Sequence, residues 1–92
     1  MNDVVLVIDD EMDFLDSAKR GLISSGIRDV RVESDARIAA SSIRQGDRYA
    51  VALIDITMPW INGVQLLEII KSVSPDTECI MVTAINDART AV

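Results

Sequence analysis

A chain of 92 residues holds one compact core and leaves no room for a second, so residues 1–92 are read as a single domain. Hydrophobic residues, 49% of the chain, exclude a disordered segment, and no apolar run approaches the roughly 20 residues a membrane span needs, so a cytoplasmic protein is expected, with no membrane partner. The net charge of -6 argues against direct nucleic-acid binding, and the lack of histidine beside a single cysteine, Cys79, excludes structural zinc and Ser-His or Cys-His catalysis, leaving carboxylates and hydroxyls to do chemistry.

Val4-Val5-Leu6-Val7-Ile8 is a continuous apolar run ending in Asp9-Asp10, the pattern of a strand buried on both faces of a parallel sheet. Over 11–25, Phe14, Leu15, Ala18, Leu22 and Ile23 recur at helical spacing, and Gly26 stops the pattern. A short strand is predicted over 29–34 through Val30 and Val32. Asp35 then caps a helix carrying Ile38, Ala39 and Ile43, which Gly46 closes. Tyr49-Ala50-Val51-Ala52-Leu53-Ile54 is a third apolar strand ending at Asp55. A loop over 56–61 leads to a helix capped by Asn62 and carrying Val64, Leu66, Leu67 and Ile70. Cys79-Ile80-Met81-Val82 reads as a fourth buried strand ending at Thr83-Ala84, with Cys79 a small buried apolar residue, and a last helix starts at Asn86 or Asp87. Short apolar strands alternating with amphipathic helices predict an α/β fold with a parallel central sheet, the Ile and Leu positions at helical spacing forming its core.

In a parallel sheet the carboxyl ends of the strands gather along one edge, where open α/β proteins bind ligands at the point of strand-order reversal. Those ends carry Asp9 and Asp10, then Asp55, then Thr83. If the first and third strands are neighbours, three carboxylates share a pocket, and two unit charges about 4 Å apart repel by roughly 4 kcal/mol at the effective dielectric of a protein surface. A divalent cation offsets that repulsion. Mg²⁺ favours one or two carboxylates, a carbonyl and several waters, and Mn²⁺ can substitute. Without metal, one carboxylate should hold a proton or the fold should weaken. Asp55, alone at the end of its strand, fits the nucleophile of a phosphoryl transfer.

Blander roles exist for each residue alone. Asp9 or Asp10 can cap the helix near Glu11, Asp55 can be a turn residue, and Thr83 can simply end a strand. Their joint placement favours the metal and phosphoacceptor reading. Trp60 is expected to pack against its own loop rather than meet a partner, and Arg89 to lie on solvated helix surface.

The pair Asp9-Asp10 after the first strand, Asp55-Ile56-Thr57-Met58-Pro59 followed by Gly63, and Thr83-Ala84 ending the fourth strand together resemble the receiver domain of bacterial response regulators, in register over the whole chain. The resemblance implies a flavodoxin-like, doubly wound parallel sheet in strand order 2-1-3-4. It implies that Asp55 accepts a phosphoryl group from a sensor histidine kinase, a phosphotransfer protein or a small phosphodonor. Asp10, Asp55 and the backbone carbonyl of Thr57 would ligate Mg²⁺, with Asp9 acting largely through water. Thr83 would be the switch hydroxyl, small Ala84 would keep the pocket open, and the chain would control an output domain lying outside it. Pro59 would hold Met58 extended and Gly63 would permit a tight or left-handed turn, aiming the loop carbonyl at the metal.

A complete receiver carries a fifth strand, which delivers a lysine, and a last helix, and both are missing from these 92 residues. Lys19 and Lys71 fall on the first and third predicted helices, away from the pocket. An incomplete receiver would expose its fourth strand as an edge through which two copies dimerise. Two alternatives therefore stand beside a signalling module that is no enzyme beyond self-catalysed phosphotransfer and autodephosphorylation. One is a Mg²⁺-dependent phosphohydrolase with an aspartyl-phosphate intermediate, suggested by Thr57 two residues after Asp55; such enzymes place their paired acids on the nucleophile's own strand and need a lysine. The other is a phosphorylation-independent dimerisation fragment.

Overall fold

The computed structural model describes residues 3–82. Strands β1 (Val5–Ile8), β2 (Val30–Glu33), β3 (Val51–Asp55) and β4 (Glu78–Val82) alternate with helices α1 (Met12–Ser24), α2 (Ala36–Gln45) and α3 (Gly63–Val73). The strands form one parallel sheet in the order β2-β1-β3-β4, the flavodoxin-like order expected. The chain steps outward from β1 to β2, then crosses back past β1 to β3. Because strand-helix-strand crossovers are right-handed, this reversal sends α1 to one face of the sheet and α2 and α3 to the other.

The alternation of side chains along β1 feeds both layers. Val5 and Val7 pack with Leu15, Val30, Phe14 and Leu22 on the α1 face, while Leu6 and Ile8 pack with Ala39, Ile43, Leu66 and Ile70 on the other. All of β1 is buried, as its unbroken apolar run requires. No helix among the described residues is long and apolar enough to cross a membrane.

Local chemistry starts and stops the helices. Asp35 Oδ1 accepts from the Arg37 amide at 2.9 Å to cap α2. Asn62 and Gln65 exchange side-chain to backbone bonds, each 2.9 Å, in a capping box at the start of α3. Gly46, at φ 113°, turns the chain left-handed after α2, so that Gly46 and Asp47 donate back to Ile43 and Ser42. At the far edge of the sheet, buried Thr77 donates to the Tyr49 carbonyl at 2.7 Å and shares a 2.7 Å bond with Ser74, joining the start of β4 to the approach to β3. Lys71 donates there too, to the Thr77 carbonyl at 2.6 Å, which keeps its charge away from the carboxyl edge.

Several expected core positions face water. Ile23, Ile38 and Val64 are about half exposed because each lies on the far side of its helix from the residues that meet the sheet, which in α2 are Ala36, Ala39, Ala40 and Ile43. β4 is not the fully buried strand its composition suggests. Cys79 and Met81 pack against the α2 and α3 layer, Cys79 only partly buried, but Glu78 and Ile80 point to the opposite face and are exposed. The expected helix from Asn86 or Asp87, with Arg89, lies outside the described residues, as do Thr83 and Ala84.

Candidate functional site

Backbone pairing between β1 and β3 runs in register from Val5 beside Val51 to Ile8 beside Ile54. One residue further on, the chain places Asp9 next to Asp55 at the carboxyl edge, with the strand-order reversal between them. Asp9 and Asp55 are buried and Asp10 is exposed. One carboxylate oxygen from each of the three lies within 4.8 Å of the others. The structure therefore brings together the three acids expected from the sequence, drawn from two strands.

Each buried acid is tied to the backbone beyond it. Asp9 Oδ1 accepts from the Glu11 amide at 2.9 Å, and Asp55 Oδ1 accepts from the Thr57 amide at 3.2 Å. The capping role considered for the acidic pair is thus met in part. Asp9 satisfies the amide of Glu11, the residue at the helix start, whose own side chain makes no cap bond.

Burial pushes the Asp9 carboxyl above the usual carboxylate range; its bond from Glu11 opposes this, and the charges of Asp55, Asp10 and Glu11 add to it. Burial likewise raises Asp55, opposed by the Thr57 amide and reinforced by the charge and contact of Asp10. Two acids lifted together by burial and by neighbouring carboxylate charge describe a cluster short of positive charge.

The donor set fits a small hard cation. Every donor is oxygen, and opposed ligands of Mg²⁺ at about 2.1 Å lie about 4.2 Å apart, so small side-chain rotations close the cluster around an ion.

The loop between Asp55 and α3 is folded tightly over the site. The Gly63 amide donates to the Ile56 carbonyl at 2.8 Å, and buried Met58 anchors the loop in the core. The expected left-handed turn is not at Gly63, which is needed instead for close approach. A Cβ there would overlap the Asp55 carbonyl oxygen and meet Ile56 Cα at 2.7 Å. The positive φ falls on Trp60, at 71°, where the Ile61 amide donates to the Pro59 carbonyl at 2.8 Å across a γ-turn. A left-handed bulky residue costs roughly 1–2 kcal/mol.

Trp60 also departs from the expectation that it packs within its own loop. It is 71% exposed, and Arg37 of α2 lies over its ring, the guanidinium carbon 4.2 Å from the centroid. Arg37 is in turn gripped by Asp35 through two bonds of 3.1 and 2.9 Å, an arrangement that holds the Asp35 carboxyl below the usual range. Sequence reasoning did not single out Arg37, because nothing local to it points to a ring 23 positions away.

A doubly wound parallel domain with an acidic pocket at its strand-order reversal belongs to a recognisable class. The profile described as response regulator receiver domain matches residues 5–92, and the chain belongs to this family of two-component signalling modules. Among solved structures it is similar to an adenylate cyclase from Rhodopirellula baltica (27% identity, TM-score 0.81, covering 99% of this chain and 66% of that one). It is also similar to the response regulator TrrA of Thermotoga maritima in complex with Mg²⁺-BeF (26%, 0.81, 100% and 77%). A CheY-like receiver protein from Methanospirillum hungatei gives 28%, 0.82, 99% and 74%. The chain thus spans just under two thirds of the Rhodopirellula structure and about three quarters of the other two. No curated protein matches.

Proposed function

We propose that the chain acts as a single phosphoacceptor domain in which Asp55 takes a phosphoryl group from the histidine of a sensor kinase or phosphotransfer protein, with Mg²⁺ bound by Asp10, Asp55 and the Thr57 carbonyl and Asp9 held close by. The observation that carries this reading is the convergence of Asp9, Asp10 and Asp55 within 4.8 Å at the β1/β3 reversal, supported by the structural similarity to a receiver solved with Mg²⁺-BeF.

A bound divalent cation supplies charge neutralisation for the incoming phosphoryl oxygens. The Thr57 amide fixes one Asp55 oxygen and so orients the carboxylate for in-line attack. An Asp55 oxygen forms the new bond to phosphorus as the phosphorus–nitrogen bond of phosphohistidine breaks. The imidazole leaves with the electron pair and takes a proton from solvent. Asp9, anchored to Glu11, would help hold a cation and supply negative charge to it, and Thr83 is proposed as the hydroxyl that reports phosphorylation to an output domain. The origin of the paired acids, just after β1 rather than on the nucleophile's own strand, favours this reading over a phosphohydrolase.

The test is mass spectrometry of the full-length protein after incubation with acetyl phosphate and Mg²⁺. One added phosphoryl mass is expected, lost with EDTA and with Asp55→Asn. Equal labelling of Asp55→Asn would remove Asp55 from the role.

A further inference from the structure

The loop over 56–62 bears Thr57 near its start and strained Trp60 at its tip; Ile56 donates to the Val82 carbonyl of β4, Met58 is buried in the core, and the exposed tip is held by Arg37 of α2. The grip has its own scaffold. Glu33, ending β2, accepts from the Asp35 amide at 3.0 Å, Asp35 caps α2 and holds Arg37 by both carboxylate oxygens, and Arg37 covers the Trp60 ring. An unrestrained loop has little reason to keep a bulky residue left-handed, so the strain at Trp60 requires a contact that makes this conformation the favoured one. Arg37 contributes to it beside the Ile61–Pro59 turn bond, because a cation over an aromatic face is attracted by the ring's quadrupole.

Fixing Trp60 fixes the loop path from both ends, since Met58 is buried and the Gly63 amide closes the base on Ile56. Thr57 sits in the short stretch between that closed base and Met58. Its amide already meets Asp55, and its carbonyl is the group proposed to face the cation.

We infer that Trp60, clasped by Arg37, is a positioning residue for the cation site: it pre-orders the loop so that Thr57 and Asp55 meet the ion without a further ordering cost. This rests on the reading of Asp9, Asp10 and Asp55 as a Mg²⁺ site. The clasp ties metal affinity to the β2–α2 corner, a region that contributes no ligand.

The experiment is Mg²⁺ titration of the protein by calorimetry, paired with urea midpoints in EDTA and with the emission of Trp60, the sole tryptophan of these 92 residues. Arg37→Ala and Trp60→Gly should each weaken Mg²⁺ binding about three- to tenfold, as expected when a pre-organised loop must be ordered on binding. Glycine is at ease at positive φ, so the urea midpoint of Trp60→Gly should stay close to wild type while its affinity falls. Trp60→Phe, which keeps an aromatic face, and Arg37→Lys, which keeps a cation, should retain most of the affinity. Mg²⁺ should shift Trp60 emission in the wild type and shift it less in Arg37→Ala. Wild-type affinity in both Arg37→Ala and Trp60→Gly overturns the inference, and so does a loss of affinity matched in both by a loss of stability. A wild type that takes up no Mg²⁺ overturns it together with the cation-site reading, and identifies that reading as the point of failure.

Discussion

Asp9 and Asp55 stand side by side because each lies one step beyond the last paired residues of adjoining parallel strands, Ile8 and Ile54. Adjacent strands run about 4.8 Å apart, so this register alone brings their carboxylates into each other's field. Asp10, next along the chain, completes the cluster from the exposed side. Repulsion among the three is thus a product of strand order.

That repulsion gives the metal-free protein a characteristic pH dependence. Asp9 and Asp55 are raised in the folded state, so between the ordinary carboxylate range near pH 4 and their folded values the native protein holds more protons than the unfolded chain. Their contribution to stability is complete below that ordinary range and is lost as pH rises through the raised values. Asp35, lowered by Arg37, works in the opposite sense: its contribution is present above the ordinary range and is lost as pH falls through the lowered value. Urea midpoints in EDTA for wild type and Asp55→Asn isolate the cluster. Wild type should lose stability relative to Asp55→Asn as pH rises above about 4. A relative gain would contradict the sign.

Mg²⁺ should reverse this loss. At a free concentration 100 times its Kd, a ligand specific for the folded state adds about 2.7 kcal/mol of stability. Asp10→Asn should weaken Mg²⁺ binding at least tenfold, because a proposed carboxylate ligand is removed, and should leave the metal-free protein no less stable, because a like charge goes with it. Calorimetry and urea denaturation with and without Mg²⁺ measure both effects.

Gly63→Ala tests the packing of the loop base. A methyl group there runs into the Asp55 carbonyl and Ile56, both backbone, which cannot rotate away. A cost of about 1–3 kcal/mol is expected from overpacking, together with weaker Mg²⁺ binding as Asp55 is displaced. A variant with wild-type urea midpoint and affinity would show that the two segments do not approach so closely.

The two faces of α3 should respond differently to truncation. Leu66 is fully buried against the sheet, and Leu66→Ala should cost about 2–5 kcal/mol. Val64 is 52% exposed, and Val64→Ala should stay within about 0.5 kcal/mol of wild type. Comparable losses at both positions in urea denaturation would mean that the helix is rotated from the orientation described.

Much of the architecture was legible because it depends on short-range chemistry. The apolar runs ending at Asp9 and Asp55, the Asp35 and Asn62 caps and the glycines after α1 and α2 all act within a few residues, and the strands and helices formed where those signals stood. The candidate acids were readable for the same reason, since a carboxylate that interrupts an apolar strand marks its end. The sequence by itself therefore determined the order of elements and which charged groups sit at the strand tips.

Only the tertiary structure decided what those groups meet. Register and strand order are set by pairing between segments about 46 residues apart, so the contact of Asp9 with Asp55 cannot be read from either segment alone. The same holds for the Arg37 clasp on Trp60, for the close approach that demands Gly63, and for the outward turn of Ile23, Ile38 and Val64. Periodicity says that a helix has an apolar side, but the sheet it packs against selects which residues of that side lose water.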